Sequence, residues 1–186
     1  IDGILDEAAW QKGNWQTGFS LNYPHDSLMA TQQTEVKVCF KNNDIYIAAI
    51  CHFDEGSRRY IRTLRRDFGR DVNDAFSVIF DPLLDNTNGF AFTVNAKGAQ
   101  SEAISHSGSR ADAVWDNRWE TATTITKEHW IAEIRIPFRT IRYDFKSLKW
   151  GVNFIRIDLA SNERSCWNKV PREFDPYSLN FAGKLV

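Results

Sequence analysis

Three segments of the sequence place an aromatic ring among Arg, Asp and Asn side chains, a mixture of groups that can bind sugars. They are residues 64–74 around Phe68, residues 161–171 around Trp167 and residues 109–119 around Trp115. The C–H face of a sugar stacks on an aromatic ring, and its hydroxyls pair with carboxylate, amide and guanidinium groups. The alternative is that these rings belong to the core, which is where most Trp side chains of small β-proteins lie.

The first of these segments also carries oxygen ligands for a cation. Asp67, Asp71 and Asn73 lie close together in sequence and are of the types that bind calcium. The segment lacks the EF-hand loop pattern and its closing Glu, and Arg65 and Arg66 would also neutralise these acids. We predict calcium at Asp67, Asp71 and Asn73, and no organic cofactor.

The sequence contains no catalytic motif. It has no G-x-S-x-G, H-E-x-x-H or phosphate-loop pattern, and its four His residues lack metal-ligand spacing. Cys39 and Cys51 fall on opposite faces of a predicted hairpin and should not bond to each other, and Cys166 stands alone in a polar stretch. We therefore predict that the protein is not an enzyme.

Length and composition bound the class of protein. The 186 residues suit one domain, residues 1–186, and because they start at Ile1 without Met we expect a fragment of a longer protein. A net charge of −1 gives no reason to expect binding to nucleic acid or an anionic membrane. The longest apolar run, Ile45–Cys51, is far too short to insert into a membrane, and the 13% of aromatic residues exclude disorder.

The elements that must position these rings show a period of two, which predicts strands. Residues 35–41 and 45–51 form a hairpin around Asn42-Asn43 with Phe40 opposite Ile45. Further strands are predicted at 76–80, 90–95, 119–126, 130–136 and 150–159. In the last of these the apolar face switches, which indicates either a bulge or burial on both faces.

Helical signal is confined to short turns at 6–12 and 137–141. Many short strands separated by turn residues predict an all-β fold, an antiparallel β-sandwich with minor helical turns. Trp10, Trp130 and Trp150 fit the core faces of these elements, whereas Trp15 and Trp119 fit either a core or a surface position.

Several motifs follow one another along the whole chain. They are Ile1-Asp-Gly-Ile-Leu-Asp-Glu-Ala-Ala-Trp10, Ile45-Tyr-Ile-Ala-Ala-Ile50, Asn73-Asp-Ala-Phe-Ser-Val-Ile-Phe-Asp81, Trp130-Ile-Ala-Glu-Ile-Arg-Ile-Pro-Phe138, Trp150-Gly-Val-Asn-Phe-Ile-Arg156 and, after Trp167 and Pro171, Phe181-Ala-Gly-Lys-Leu185. This ordered set resembles the family 9 carbohydrate-binding modules. Arg65-Arg66-Asp67, Val94-Asn-Ala-Lys-Gly98 and Ile136-Pro-Phe-Arg-Thr-Ile-Arg142 resemble a subgroup in which the module precedes a large uncharacterised domain thought to form an outer-membrane barrel.

The resemblance implies a jelly-roll β-sandwich that binds sugars without catalysis and holds structural calcium. Trp167 matches one of two rings that clamp a terminal sugar in related modules, and Phe68 is the aromatic residue nearest to the other. Arg156 falls where the long strand presents a guanidinium to the ligand, and Ser77 stands where related modules carry an acid. The predicted carbohydrate-binding residues are Trp167, Phe68, Arg66, Asp74, Arg156 and Trp115.

The leading hypothesis is non-catalytic carbohydrate binding that serves carbohydrate catabolism or glycan capture at the bacterial cell surface. Its partners would be an oligo- or polysaccharide and the rest of a larger polypeptide, and from the resemblance alone we expect an extracytoplasmic location. The alternative is a structural or interaction domain of a larger outer-membrane protein, in which the same rings form an interface. A haem-binding relative would need axial ligands, for which Met29 and the nearby His25 are the candidates.

Overall fold

The computed structural model describes residues 1–69, 71–106, 110–112, 115–143 and 149–185. The strands are β1 (Ser20–Tyr23), β2 (Thr34–Lys41), β3 (Asp44–His52), β4 (Ala75–Asp81), β5 (Gly89–Asn95), β6 (Gln100–His106), β7 (Arg110–Asp112), β8 (Glu120–Ile125), β9 (His129–Pro137), β10 (Trp150–Asp158), β11 (Glu163–Cys166) and β12 (Gly183–Leu185). Helix in these ranges is limited to the 3₁₀ turns Phe138–Thr140 and Leu179–Phe181. No helix in the described part of the chain is long and apolar enough to cross a membrane.

The strands pair into two antiparallel sheets that pack face to face. The larger sheet has the order β1-β11-β10-β4-β5-β6-β7, and β12 also pairs with the start of β10. The smaller sheet has the order β2-β3-β9-β8. One apolar cluster between them contains Ile47 and Trp130 from the smaller sheet and Phe76 and Phe154 from the larger. The predicted all-β antiparallel sandwich with minor helical turns is therefore confirmed.

The hairpin of β2 and β3 has the predicted register, with Phe40 opposite Ile45. Asn42 occupies its turn with a φ of 55°, a conformation that Asn tolerates better than most residues. Cys39 and Cys51 are both free thiols, as expected for positions on opposite faces. The alternation of apolar and polar residues was therefore enough to predict both strands of this hairpin and their register.

Strands β4 and β10 lie at the centre of the larger sheet, and every residue of both is buried. Trp150 and Phe154 point between the sheets, whereas Ile155 belongs to a second cluster on the outer face. The pairing of β10 with β4 continues without a bulge from Gly151 to Ile157. Of the two explanations for the switch of apolar face along 150–159, burial on both faces is confirmed.

The chain between β11 and β12 covers part of the outer face of the larger sheet. It contributes Val170, Tyr177 and Leu179, which cluster with Ile155. The contact is close, because a Cβ placed on Gly89 would lie only 2.8 Å from a methyl carbon of Leu179. We call residues 170–182 the covering segment, since they keep the outer side of the central strands away from water.

The N-terminal residues are attached to the outer face of the smaller sheet. The buried carboxylate of Glu133 on β9 accepts hydrogen bonds from the amides of Asp2 (2.9 Å) and Gly3 (3.2 Å) and from Trp10 Nε1 (3.2 Å). Three donors satisfy the charge that would otherwise be costly to bury. The backbone of Asp2 and Gly3 and the indole of Trp10 thus meet at one buried carboxylate.

The Trp residues assigned to the core are buried in the structure. This confirms the prediction for Trp10, Trp130 and Trp150. Trp119, which fitted either position, is also buried, and Trp15 is half-buried with Lys37 Nζ 4.6 Å from its ring centroid.

The core assignment predicts different costs for two Phe→Ala changes. Phe76 is 0% exposed between the sheets, whereas Phe40 is 49% exposed and stacks on Phe138 at the end of the hairpin. Phe76→Ala leaves a cavity, so we expect the free energy of unfolding to fall by about 3–5 kcal/mol. Phe40→Ala loses a partly solvated stack and should cost about 1 kcal/mol. Urea unfolding followed by Trp fluorescence measures both, and equal costs would contradict the burial pattern.

Candidate functional site

An open groove lies on the outer face of the larger sheet, beside the covering segment. Directly paired residues of an antiparallel sheet point to the same side, so Ile157 shares this face with Arg164, and Thr93 shares it with Ser101. Two adjoining cavities of about 230 and 280 Å³ both touch Asp71 and Ile157. We call this surface the outer groove; its main lining residues are Tyr23, Asp67, Phe68, Asp71, Thr93, Ser101, Ile157, Arg164 and Tyr177.

Loop 62–73 forms one wall of the outer groove and carries Phe68. Its two ends are tied together because Asn73 Oδ1 accepts hydrogen bonds from two amides at the start of the loop, at 2.7 and 3.2 Å. Near its tip, the amide of Asp67 donates to the carbonyl of Gln100 on β6 at 2.9 Å. These backbone bonds hold Phe68 at the groove as a half-buried ring.

Arg66 braces the same loop. Its guanidinium pairs with the buried carboxylate of Glu102 and donates to Gln100 Oε1 (2.6 Å) and to the carbonyl of Asn117 (2.7 Å). Glu102 also accepts a hydrogen bond from Trp119 Nε1 at 3.2 Å. Arg66 was predicted to bind sugar hydroxyls, but the structure uses its donors to join the loop to β6 and to the segment before β8.

A pair of opposite charges lies above the floor of the outer groove. Arg164 Nη1 is 3.6 Å from Asp71 Oδ2, and both side chains remain partly exposed. The ring centroid of Tyr23 is 5.8 Å from the guanidinium carbon of Arg164. Because 3.6 Å is longer than a hydrogen bond, both charged groups keep donors and acceptors for a ligand. Asp71 therefore joins Phe68 at this surface, although the sequence analysis had assigned it to calcium.

Tyr177 and Tyr23 are groove residues that the sequence analysis missed. The hydroxyl of Tyr177 is 2.7 Å from Ser77 Oγ, which is itself 2.7 Å from Thr93 Oγ1. The middle hydroxyl of this row belongs to Ser77, the position at which related modules carry an acid according to the resemblance. Tyr177 stands in an irregular segment without periodicity, so the sequence carried no signal that could have found it.

Trp167 points to the opposite side of the larger sheet from the outer groove. Cys166, the residue before it, pairs with Ile155 on the outer face, so Trp167 faces inward. Its ring centroid is 5.6 Å from that of Phe154, and a Cβ on Gly183 would lie only 2.7 Å from its ring. The structure therefore places Trp167 against the core, and does not bring it together with Phe68 as the predicted sugar clamp required.

Asp74 and Arg156 are buried, with exposures of 0% and 2%. Arg156 Nη2 is 3.0 Å from a carboxylate oxygen of Asp158, and the Asp74 carboxylate accepts hydrogen bonds from the amides of Tyr60 and Leu159, both at 2.8 Å. Burial raises the pKa of the Asp74 carboxyl above its ordinary value, although these two bonds act in the opposite direction. Both residues were predicted as sugar contacts, but this buried polar network leaves neither a surface to offer to a sugar.

Trp115 lies outside the outer groove. Its ring centroid is 5.3 Å from that of Phe90 and 5.8 Å from that of Phe92, and Phe92 belongs to the core between the sheets. The ring is half-buried and also lines a second cleft. Positions 109, 113 and 114 of the segment that carries it lie outside the described residues.

The arrangement of Asp67, Asp71 and Asn73 does not fit the predicted calcium site. Asn73 Oδ1 already accepts two backbone hydrogen bonds, and the guanidinium of Arg164 next to Asp71 would repel a cation. In the described part of the chain, three acidic side chains with ligand atoms within 4.8 Å of one another are Asp2, Glu7 and Glu133. The hydrogen bonds that Glu133 accepts from the N-terminal residues account for that cluster.

Cys166 has the environment of a structural thiol. It is buried in the outer-face cluster next to Ile155, and this burial raises the pKa of its thiol to about 12. The thiolate, which is the nucleophilic form, is therefore scarce at neutral pH. Cys166 is thus packed as a small apolar side chain of the outer-face cluster.

The same fold occurs in solved structures of carbohydrate-binding proteins. A protein of Bacteroides uniformis with a provisional assignment as carbohydrate-binding aligns with a TM-score of 0.71 and 12% identity over 92% of this chain and 85% of that chain. A family 9 carbohydrate-binding module of Caldicellulosiruptor kristjanssonii, solved with cellotriose, aligns with a TM-score of 0.68 and 16% identity over 99% of this chain and 86% of that chain. A family 9 module of that organism solved with glucose gives a TM-score of 0.63 and 16% identity, over 99% of this chain and 88% of that chain. Identities this low establish the fold alone.

The sequence itself decides the family. Comparison with curated proteins gave no significant match. A family model described as "Carbohydrate family 9 binding domain-like" matches residues 1–170, and family 9 is a family of non-catalytic binding modules. Because this match spans most of the 186 residues, the chain belongs to the carbohydrate family 9 binding domain-like family.

Proposed function

We propose that this chain is a non-catalytic module that binds an oligo- or polysaccharide in the outer groove. The observation that carries the proposal is the position of Phe68, whose ring lines the same groove as the Asp71–Arg164 pair. A ring next to a hydrogen-bond donor and an acceptor is the combination that a sugar, with an apolar face and polar edges, requires.

The groove supplies each part of this recognition from a different element. Phe68 offers the stacking surface, Asp71 accepts hydrogen bonds from hydroxyls, and Arg164 donates to them. Thr93 and Ser101 on the floor can do both. A single stack contributes about 0.5–1.5 kcal/mol beyond burial, so we expect dissociation constants in the micromolar to millimolar range.

The relatives support a glucose-based oligosaccharide as the first probe. Structurally similar family 9 modules were solved with cellotriose and with glucose. Neutral sugars of this kind present equatorial hydroxyls at the edge of a flat ring, which suits a groove with one ring and several small polar groups. The non-catalytic character of the family supports a role in holding the saccharide without cleaving it.

We also propose, from the resemblance to the subgroup, that the module is part of a longer extracytoplasmic protein that captures glycans at the bacterial cell surface. The motifs Arg65-Arg66-Asp67 and Val94-Asn-Ala-Lys-Gly98 are what support this context. The attached barrel domain and the extracytoplasmic location stay predictions.

Phe68→Ala tests the stacking surface. We expect the affinity for cellotriose, measured by isothermal titration calorimetry, to fall about tenfold, because the stack and its buried area are lost. The matched control is Phe40→Ala, which removes an exposed Phe from the smaller sheet and should leave the affinity within about twofold. Equal affinities of the parent and Phe68→Ala would remove Phe68 from the site. If the parent bound no saccharide on a glycan array, the proposed function itself would be wrong.

Trp167→Ala distinguishes a core ring from a ligand ring. Because Trp167 packs on Phe154 and Gly183, we expect the free energy of unfolding to fall by about 2–3 kcal/mol. The folded protein should still bind cellotriose with an affinity within about twofold of the parent's. Urea unfolding and calorimetry on the same sample measure the two effects. A folded variant with tenfold weaker binding would return Trp167 to the sugar site.

A further inference from the structure

A second cleft, separate from the outer groove, lies beside Trp115. Its volume is about 470 Å³, which is within the range of small-molecule sites, about 300–1,000 Å³. Phe90 pairs with Ile104, and both line this cleft. Ala91 follows Phe90 on β5, and Ala103 precedes Ile104 on β6. Both alanines line the outer groove. Successive side chains of a strand point to opposite faces, so the two sites open on opposite sides of the sheet.

Trp115 presents a fixed ring to this cleft. It packs at 5.3 Å from Phe90 and 5.8 Å from Phe92, and Phe92 is fully buried between the sheets. A half-buried ring held by two others loses little side-chain entropy when it binds a ligand. The face it shows to solvent is therefore a ready stacking surface.

Positive charge is concentrated around the ring. Arg139 and Arg142 line the cleft together with His106, and no acidic side chain among the described residues lines it. Arg139 and Arg142 are exposed, and neither side chain forms a hydrogen bond or ion pair within the ranges that the structure describes. By contrast, Arg66 and Arg164 each pair with a carboxylate. The net charge of the chain is −1, so this excess of positive charge is local.

The backbone that carries the two guanidinium groups is well anchored. Arg139 lies in the 3₁₀ turn after β9, whose first residue, Phe138, packs edge-on against Trp150 at 5.7 Å. Ile141, between the two arginines, is buried in the core. The arginines are thus held at one wall of the cleft, and Trp115 also lines it.

We propose that this cleft, which we name the Trp115 cleft, binds an acidic saccharide through a uronic acid residue. The sugar ring stacks on Trp115, and its carboxylate pairs with the guanidinium groups of Arg139 and Arg142. Guanidinium–carboxylate pairs are strong and directional because two parallel hydrogen bonds form. An inorganic anion would use the arginines and leave the indole face unoccupied, so the ring is what favours a saccharide over a simple anion.

Calorimetry with tetragalacturonate tests this site, with neutral cellotriose as the comparison ligand. We expect Arg139→Gln combined with Arg142→Gln to weaken tetragalacturonate binding about tenfold and to leave cellotriose binding unchanged. The matched control is Arg58→Gln combined with Arg62→Gln, which removes the same charge from exposed positions outside the cleft and should change the affinity less than about twofold. Raising NaCl from about 20 to about 300 mM should weaken the parent's binding several-fold through screening.

Two further variants separate this site from the outer groove and from a plain anion site. Phe68→Ala should bind tetragalacturonate as the parent does, so failure of the outer-groove proposal would not affect this result. Trp115→Phe keeps an aromatic ring for packing and should weaken binding about threefold. The proposal is overturned if the double arginine variant binds tetragalacturonate normally. It is also overturned if inorganic phosphate competes as well as the saccharide does, because a simple anion would then account for the binding.

Discussion

Burial of β4 and β10 on both faces is the constraint on which the rest of the structure depends. A sheet with one solvated face would need only the smaller sheet as a partner, but these strands carry apolar side chains on both sides. The covering segment packs Val170, Tyr177 and Leu179 against the second face. It covers only part of that face, and the outer groove is the part left open next to its edge. The proposed binding surface and the stability of the central strands therefore have one structural origin.

The strands that could be predicted from the sequence are those with one face in the core and the other face toward a more polar environment. In the hairpin of β2 and β3 and in β9, one side chain in two is in the core, so the period-two pattern revealed both the strands and the Phe40–Ile45 register. Strands that are buried on both faces have no such contrast, which is why β10 admitted two interpretations. The covering segment has no periodicity, and Tyr177 could not be found from a pattern.

The candidate site was harder to predict because strand pairing, and not local composition, decides which way a ring points. Phe68 and Trp167 have similarly polar neighbours, yet one lines a groove and the other packs on Phe154. The polar residue next to Trp167 serves the backbone: Asn168 Nδ2 donates to the carbonyl of Phe181 at 3.0 Å. Polar residues next to a ring can thus serve irregular backbone, and do not by themselves show that the ring is exposed. Strand pairing likewise decides where the charged side chain of Arg156 points. Its position on the central strand β10 turns its guanidinium inward.

The two ends of the described chain are fastened to different sheets. Asp2 and Gly3 are held by Glu133 on the smaller sheet, and β12 pairs with β10 in the larger one. A mechanical load applied between the ends would therefore be carried across both sheets. The side chains packed between the sheets, such as Phe76 and Trp130, connect the two points of attachment. The packing between the sheets therefore lies on the path of any force that reaches the protein through these two ends.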